Sequence, residues 1–274
     1  MSNDQQGRPP EGDWLGTPYL RFERHGPLAR CVVDRLAKRN ALTPSMYFGI
    51  RYAVNHTDAS DDLAGLIITG SGDVFMPGGD LSGSYDDNWA DLSRLLFMDI
   101  VPFDALRQAR KPVVSAVNGL CQGGGLMIAM LSDVSVASDR ATFRAPELFR
   151  GIADTHYAQI LSRQIGPARA RDLLLTGRTL TAAEAVDWAL ISRVVPQDQL
   201  MDTATAVLVE CCKTGPDARV EIKRTLDQYY GLYDRIGMVK SLLGPESAEG
   251  AKSFFEKRQP DWINPDLPSA EGRG

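Results

Sequence analysis

Two glycine-rich turns are the first features of this sequence whose residue types and spacing could support chemistry. The first contains Gly78-Gly79-Asp80, and the second runs over residues 118–125 and ends in three consecutive glycines. Glycine allows the backbone to approach a bound ligand closely, and a helix that begins in the second turn adds partial positive charge there. If each turn offers one backbone N–H to the same oxygen atom, the two donors form an oxyanion hole. The alternative is that these glycines serve only tight turns.

Short apolar stretches before the two turns predict the strands that position them. Residues 63–69 and residues 112–117 are compact apolar runs that are typical of buried strands. Residues 70–83 are rich in glycine and are expected to form a loop throughout. Residues 126–131 follow the glycines of the second turn and predict a helix.

The rest of the chain predicts an α/β core followed by a helical section. Residues 19–24 and 28–34 flank His25-Gly26-Pro27 and indicate a β-hairpin. Thr43 as N-cap and Pro44 at the first helical position predict a helix that ends near residue 57. Strands alternate with helices up to about residue 140, and helices dominate afterwards, so we expect an α/β fold class.

The composition excludes several classes of protein. The chain has 274 residues, four cysteines and a net charge of −5, from 30 Lys+Arg against 35 Asp+Glu. This charge gives no general case for nucleic-acid binding, and the scattered cysteines and three histidines suggest neither a disulfide scaffold nor a metal site. No apolar run approaches the ~20 residues of a membrane span. We therefore expect a cytoplasmic protein that contacts neither membrane nor nucleic acid, with a disordered tail over residues 1–16.

Six sequence motifs, in order along the chain, resemble those of the crotonase superfamily, the enoyl-CoA hydratase/isomerase family. The stretches that carry the resemblance are residues 38–43 (KRNALT), residues 68–81 (ITG, then F and GGDL), residues 112–125 (PVVSAVNGLCQGGG), residues 141–147 (ATF, then PE), residues 174–195 and residues 254–260.

This resemblance implies a fold and an assembly. The expected fold is a β-β-α spiral core over residues 17–200 with a helical C-terminal trimerisation segment over residues 201–274. The substrate is expected to be an acyl-CoA thioester, so that no separate cofactor is needed. The expected assembly is a homotrimer or a hexamer, in which Phe254 and Lys257 approach the CoA of a neighbouring subunit.

The resemblance also assigns residues to the site. The thioester carbonyl would accept hydrogen bonds from the backbone amides of Gly79 and Gly124. The side chain of Asp80 is expected to fix the first turn by accepting hydrogen bonds from nearby amides. The CoA is expected to lie near Lys38, Ala41, Asp80 and Leu81.

The sequence departs from a two-glutamate hydratase at one position. Such a hydratase holds a water between two glutamates, and the first would stand three residues after Gly124, where this chain has Met127. The second matches Glu147. A plain hydratase is therefore disfavoured, and Met127 and Met98 are expected to shape an acyl pocket or to fill core.

Asp154 offers a replacement for the missing glutamate. Family members with an aspartate at this distance from a Gly-ended helix include dienoyl-CoA isomerases and a 4-chlorobenzoyl-CoA dehalogenase. The dehalogenase also needs a histidine base, for which His25 and His56 are poorly placed. The leading interpretation is an isomerase, with Glu147 as base and Asp154 as a second acid/base or a group that tunes the pKa of Glu147.

Purely structural roles stay open for both carboxylates. Glu147 could cap a turn after Pro146, and Asp154 stands at a good helix N-cap position before Thr155. At the level of function, the alternatives are an enoyl-CoA hydratase, an acyl-CoA hydrolase or a non-catalytic acyl-CoA-binding member of the family.

Overall fold

The computed structural model describes residues 15, 17–82, 101–228 and 240–263. In this part of the chain two sheets are present, one of six strands and one of four. The strands are β1 (Leu20–His25), β2 (Leu28–Val33), β3 (Gly65–Gly70), β4 (Val74–Met76), β5 (Val113–Val117), β6 (Leu120–Gln122), β7 (Val134–Ser138), β8 (Thr142–Arg144), β9 (Leu180–Thr181) and β10 (Arg193–Val195).

The described helices cover the sheets and dominate the second half of the chain, as expected. They are α1 (Pro44–Ala59), α2 (Phe103–Gln108), α3 (Gly124–Leu131), α4 (Thr155–Gln164), α5 (Pro167–Thr176), α6 (Ala182–Asp187), α7 (Leu200–Cys212), α8 (Pro216–Gln228) and α9 (Pro245–Glu256), with 3-10 turns at Leu36–Lys38, Glu147–Arg150 and Gln197–Gln199.

The larger sheet begins with the predicted hairpin and continues in parallel. Its strand order is β1-β2-β3-β5-β7-β10, and only β1 and β2 pair in antiparallel fashion, with His25 opposite Leu28. The strands β3 and β5 are buried along nearly their whole length, which explains their continuous apolar sequences. The helix α7 packs on this sheet and shares an apolar cluster with it. The division of the chain near residue 200 stays a prediction.

The smaller sheet places the two glycine turns side by side. Its order is β4-β6-β8-β9, and β4 pairs in parallel with β6 through Val74 with Leu120 and Met76 with Cys121. Parallel strands have their carboxyl ends at the same edge of a sheet. Because each of these two strands leads directly into a glycine turn, the turns meet at that edge.

The expectation of a continuous loop over residues 70–83 is wrong for four residues. Gly70 is the last residue of β3, and the other three form a strand of their own. The segment Val74–Met76 forms β4 and is fully buried, since its three apolar side chains enter the core once they pair with β6. The strand β8 was likewise absent from the sequence prediction. Three-residue strands are too short to show a period of their own.

The first helix, α1, begins where the sequence predicted. The Thr43 hydroxyl accepts a hydrogen bond from the amide of Met46 at 3.3 Å, and Pro44 is the first helical residue. The helix α1 continues two residues beyond the predicted end, to Ala59. Residues 83–100, Met98 among them, lie outside the described residues.

No helix of the described ranges combines the length and the apolarity that a membrane crossing requires. The same ranges hold no group of three or more His, Cys, Asp or Glu side chains suited to a metal ion.

Asn40 anchors the loop that holds the first glycine turn. Its side chain is fully buried, accepts from the amide of Arg35 at 2.9 Å, and donates to the carbonyls of Ser71 at 3.1 Å and Val74 at 2.7 Å. Its φ of 59° lies in the left-handed region, which Asn tolerates better than most residues. Two residues later, Leu42 pairs with the first turn.

We predict that Asn40→Ala lowers the free energy of unfolding by about 2–4 kcal/mol. Three buried hydrogen bonds at roughly 1 kcal/mol each are lost, and their partners become unsatisfied. Urea denaturation followed by circular dichroism measures the loss. The matched control is Asn55→Ala at an exposed position of α1, where the expected change is within about 0.5 kcal/mol. Equal changes in the two variants would contradict the anchoring role of Asn40.

Candidate active site

The two glycine turns touch each other through their backbones. Gly78 has a φ of 99° and Gly123 a φ of 53°, so both occupy a region that L side chains rarely adopt. A Cβ built on Gly78 would lie 3.3 Å from the Cα of Gly123, and one built on Gly123 would lie 3.2 Å from the Cα of Gly78. Any side chain at either position would push the turns apart.

Each of these glycines directly precedes one of the two expected amide donors. Leu42 donates to the carbonyl of Gly78 at 2.9 Å and accepts from the amide of Asp80 at 2.8 Å. These two hydrogen bonds involve the residues on either side of Gly79 and do not use the Gly79 amide. Gly124 is the first residue of α3, where helix amides lack intrahelical acceptors. Within the described residues, neither amide has a protein acceptor.

The side chain of Tyr47 lies against both donor residues. A Cβ built on Gly79 would lie 3.8 Å from the Tyr47 hydroxyl oxygen, and one built on Gly124 would lie 2.0 Å from it. One atom therefore neighbours both glycines, so the two donor residues lie within a few Å of the same hydroxyl group. Such a pair of free N–H groups can stabilise a single negatively charged oxygen.

Glu147 lies beside the second turn. It opens the 3-10 turn after Pro146, and its Oε1 lies 3.0 Å from a Cβ built on Gly123. Its Oε2 is buried and has no hydrogen-bond partner among the described residues. Burial, and next the negative charge of Asp154, raise the pKa of Glu147 to about 8, although Arg150 and Arg144 act in the opposite direction.

Asp154 has the N-cap role that its position suggested. Its Oδ1 accepts from the amides of His156 at 3.0 Å and Tyr157 at 3.2 Å at the start of α4. Burial raises its pKa to about 6, against the lowering effect of these two amides. The cap does not separate Asp154 from Glu147, because both line one cavity of about 200 Å³ with a mostly apolar wall.

Asp80 fixes the first turn as expected, and with a partner that the sequence analysis missed. Its Oδ1 accepts from the amide of Ser82 at 2.9 Å, and its Oδ2 lies 2.7 Å from the buried guanidinium of Arg35. Burial alone would raise the pKa of Asp80, but the Arg35 and Ser82 hydrogen bonds hold it below the usual value. The pair ties the first turn to the end of β2.

The residues expected to meet CoA lie in two separate places. Lys38 and Leu81 are exposed and Ala41 is half-buried, all near the first turn. Phe254 and Lys257, at the end of α9, line a groove of about 550 Å³ together with Leu148 and Arg150 of the Glu147 turn. Their contact with a neighbouring subunit stays a prediction.

Of the two methionines expected near the acyl group, the described residues include only Met127. Met127 is fully buried in the main apolar core, which agrees with the core-filling alternative, and its role in an acyl pocket stays a prediction. Met98 lies outside the described residues.

Three residues near the site were missed from sequence: Arg35, Tyr47 and Tyr157. Tyr47 and Tyr157 are buried aromatic residues in the first turns of α1 and α4. In the sequence alone, nothing distinguishes these two tyrosines from ordinary core residues. Counting helical positions from the N-caps Thr43 and Asp154 would have placed both tyrosines on the buried faces of their helices.

The family model for enoyl-CoA hydratase/isomerase matches residues 24–265. The chain belongs to this family. The crotonase resemblance of the sequence is therefore confirmed, and the protein is an acyl-CoA enzyme of the hydratase/isomerase family.

Individual relatives of the family cover nearly the whole chain. A Mycobacterium bovis protein named "Probable enoyl-CoA hydratase echA8" is 33% identical over 253 residues, which are 89% of this chain and 98% of that protein. A carnitinyl-CoA dehydratase of Citrobacter koseri is 32% identical over 267 residues, which are 89% of this chain and 97% of that protein.

The solved structures of the family confirm the fold class. The crystal structure of an enoyl-CoA hydratase/isomerase from Pseudoalteromonas atlantica T6c matches with a TM-score of 0.76 at 25% identity, over 89% of this chain and 100% of that chain. The mixed α/β fold with parallel sheets is therefore the crotonase fold.

We predict that Glu147→Gln becomes more stable relative to the unmodified protein as the pH rises. A carboxyl whose pKa is raised by folding binds its proton more tightly in the native state, so the native state loses stability between about pH 4.5 and pH 8. Glutamine removes this loss. Urea denaturation at pH 5 and at pH 8.5 should show the difference between the two proteins grow by roughly 2–4 kcal/mol.

The control for this titration is Glu221→Gln, an exposed glutamate of α8. Its difference from the unmodified protein should be the same at both pH values. A Glu147→Gln difference that is equally flat would mean that Glu147 has an ordinary pKa and is not held in a desolvated site.

Proposed function

We propose that the protein is an enoyl- or dienoyl-CoA isomerase that moves a double bond along the acyl chain of a CoA thioester. One observation carries the proposal: two buried carboxyl groups with raised pKa values share a cavity, and one of them, Glu147, lies beside Gly123 at the meeting point of the two turns whose amides have no protein acceptor. Met127 stands where a two-glutamate hydratase has its first glutamate, which favours proton transfer between carbons over addition of water.

The proposed reaction needs no external reagent. For a 3-enoyl-CoA, a carboxylate removes a proton from the α carbon, and the electrons of that C–H bond form a thioester enolate. The amides of Gly79 and Gly124 stabilise the enolate oxygen, for which one such donor typically contributes ~2.7–4 kcal/mol. The enolate then collapses, a double bond forms between the α and β carbons, and the former double bond takes up a proton at the γ carbon.

The two carboxyl groups provide one base and one acid for these steps. With pKa values of about 8 and about 6, Glu147 and Asp154 together hold one proton near neutral pH. Because they interact, that proton belongs to the pair and not to either group alone. Glu147 lies next to the second turn and is the group we place at the α carbon. Asp154 is the second acid/base of the pair.

The surroundings fit a hydrocarbon acyl group on a polyanionic carrier. The wall of the shared cavity is mainly apolar, with side chains such as Ile152 and Leu174. Lys38 beside the first turn and Lys257 in the C-terminal groove are the cations that we assign to CoA phosphates. We further propose a homotrimer or hexamer, without a cofactor other than the substrate's own CoA.

Hydration of an enoyl-CoA is the second candidate function. It is favoured by the two relatives above, one named a hydratase and the other a dehydratase. In this candidate Glu147 would serve as the acid/base toward water.

The test incubates the protein with a 3-enoyl- or a 3,5-dienoyl-CoA in D2O and follows deuterium incorporation by mass spectrometry. We predict formation of the isomer with exchange at the α and γ carbons of the 3-enoyl-CoA, or at the α and ε carbons of the 3,5-dienoyl-CoA. Glu147→Gln should slow both by about 10²–10⁴-fold, the usual range for loss of general acid–base catalysis. Asp154→Asn keeps an N-cap residue and should still lose activity. Glu221→Gln is the matched control.

The same spectra separate the alternatives. A product heavier by one water is the hydratase outcome, and free CoA is the hydrolase outcome; either as the main product would contradict the isomerase proposal. An exchange rate that Glu147→Gln leaves unchanged would contradict the assigned proton transfer. Full activity of Asp154→Asn would reduce Asp154 to a helix cap.

A further inference from the structure

Tyr157 is a fully buried tyrosine whose hydroxyl reaches the second glycine turn. This hydroxyl donates a hydrogen bond to the backbone carbonyl of Gly123. The same carbonyl also accepts from the amide of Met127, at 3.1 Å, in the first turn of α3. The Gly123 carbonyl is therefore held from two sides, by its own helix and by a side chain from α4.

The carbonyl of Gly123 and the amide of Gly124 belong to one peptide unit. No peptide bond of the described residues is cis, and in a trans peptide the C=O and N–H point in opposite directions. Fixing the carbonyl toward Tyr157 therefore also fixes the direction of the N–H, whose nitrogen would lie 3.4 Å from a Cβ built on Gly78 of the first turn. This peptide follows a glycine at φ 53° and ψ −134°, a residue that imposes few limits on its own rotation.

We propose that Tyr157 is a positioning residue of the oxyanion hole: its hydroxyl, through the Gly123 carbonyl, orients and strengthens the Gly124 N–H that faces the thioester oxygen. The inference rests on the proposed function of that amide. A hydrogen bond to the carbonyl of a peptide polarises the whole unit, so its N–H becomes a better donor. Tyr157 does not touch the substrate in this role.

The position of Tyr157 also links the amide to the carboxyl pair. The backbone amide of Tyr157 donates to Asp154 at 3.2 Å, so one turn of α4 holds both the second carboxylate and the orienting hydroxyl. The Oε1 atom of Glu147 lies 3.0 Å from a Cβ built on Gly123, the residue whose carbonyl Tyr157 holds. A shift of α4 would therefore move Asp154 and the orienting hydroxyl of Tyr157 together.

The protonation state of Tyr157 suits a permanent donor. Burial, followed by the charges of Glu147 and Asp154, raises the pKa of the Tyr157 hydroxyl well above its usual value. The hydroxyl thus keeps its proton throughout the pH range in which the carboxyl pair titrates.

The test uses Tyr157→Phe, which removes one oxygen and keeps the ring. The probe is butyryl-CoA, a saturated thioester, labelled with ¹³C at its carbonyl. In the unmodified protein the bound carbonyl signal should lie downfield of the free signal, because two N–H donors polarise it. In Tyr157→Phe this displacement should shrink, kcat for deuterium exchange should fall about 10–100-fold, and KM should change less than about twofold.

The matched control is Tyr52→Phe, at a half-buried tyrosine of α1 that stacks on His56. It should leave both the ¹³C signal and kcat unchanged. If Tyr157→Phe does not fold, incorporation of 3-fluorotyrosine at 157 keeps the hydroxyl and makes it a stronger donor. The bound carbonyl signal should then move further downfield.

The outcomes separate this inference from the proposed function. A downfield signal in the unmodified protein that Tyr157→Phe leaves unchanged, with unchanged kcat, overturns the role of Tyr157 alone. An unchanged signal with 3-fluorotyrosine does the same. No downfield displacement in the unmodified protein overturns the oxyanion hole itself. A fall in kcat with no change in the signal reduces Tyr157 to general packing and also overturns the inference.

Discussion

The site depends on the approach of two backbone turns that leaves no room for a β-carbon between them. Gly78 and Gly123 meet so closely that a methyl group on either would contact the other's Cα at little over 3 Å. The parallel pairing of β4 with β6 produces this approach, and the amides of Gly79 and Gly124 follow from it. Asn40 and Arg35 hold the first turn, whereas α3 and Tyr157 hold the second.

The buried carboxyl pair of the site makes the folded protein less stable. Glu147 and Asp154 lie in a mostly apolar cavity where burial raises the pKa of each, and the charge of Asp154 raises the pKa of Glu147 further. Burial therefore gives a carboxyl group a pKa close to neutral pH, where a general acid or base works best. Because folding raises this pKa, the native state also becomes less stable as the pH rises. Such a group is better explained by chemistry than by packing.

Local signals allowed much of the fold to be predicted from sequence. Thr43-Pro44 marks the start of α1, the hairpin lies where expected, and both glycine turns and the Asp154 cap were identified from neighbouring residues. The strands β4 and β8 were missed because three residues carry no period. Arg35 with Asp80 and Tyr157 with Gly123 were missed because they are 45 and 34 residues apart, and only the folded chain brings them together.

The most direct test of the central claim is a crystal structure with a bound, unreactive acyl-CoA. We expect the thioester oxygen to lie about 2.7–3.1 Å from the backbone nitrogens of both Gly79 and Gly124, with the α carbon facing Glu147. A thioester oxygen that contacts only one of these amides, or an acyl group bound away from the Glu147–Asp154 cavity, would contradict it.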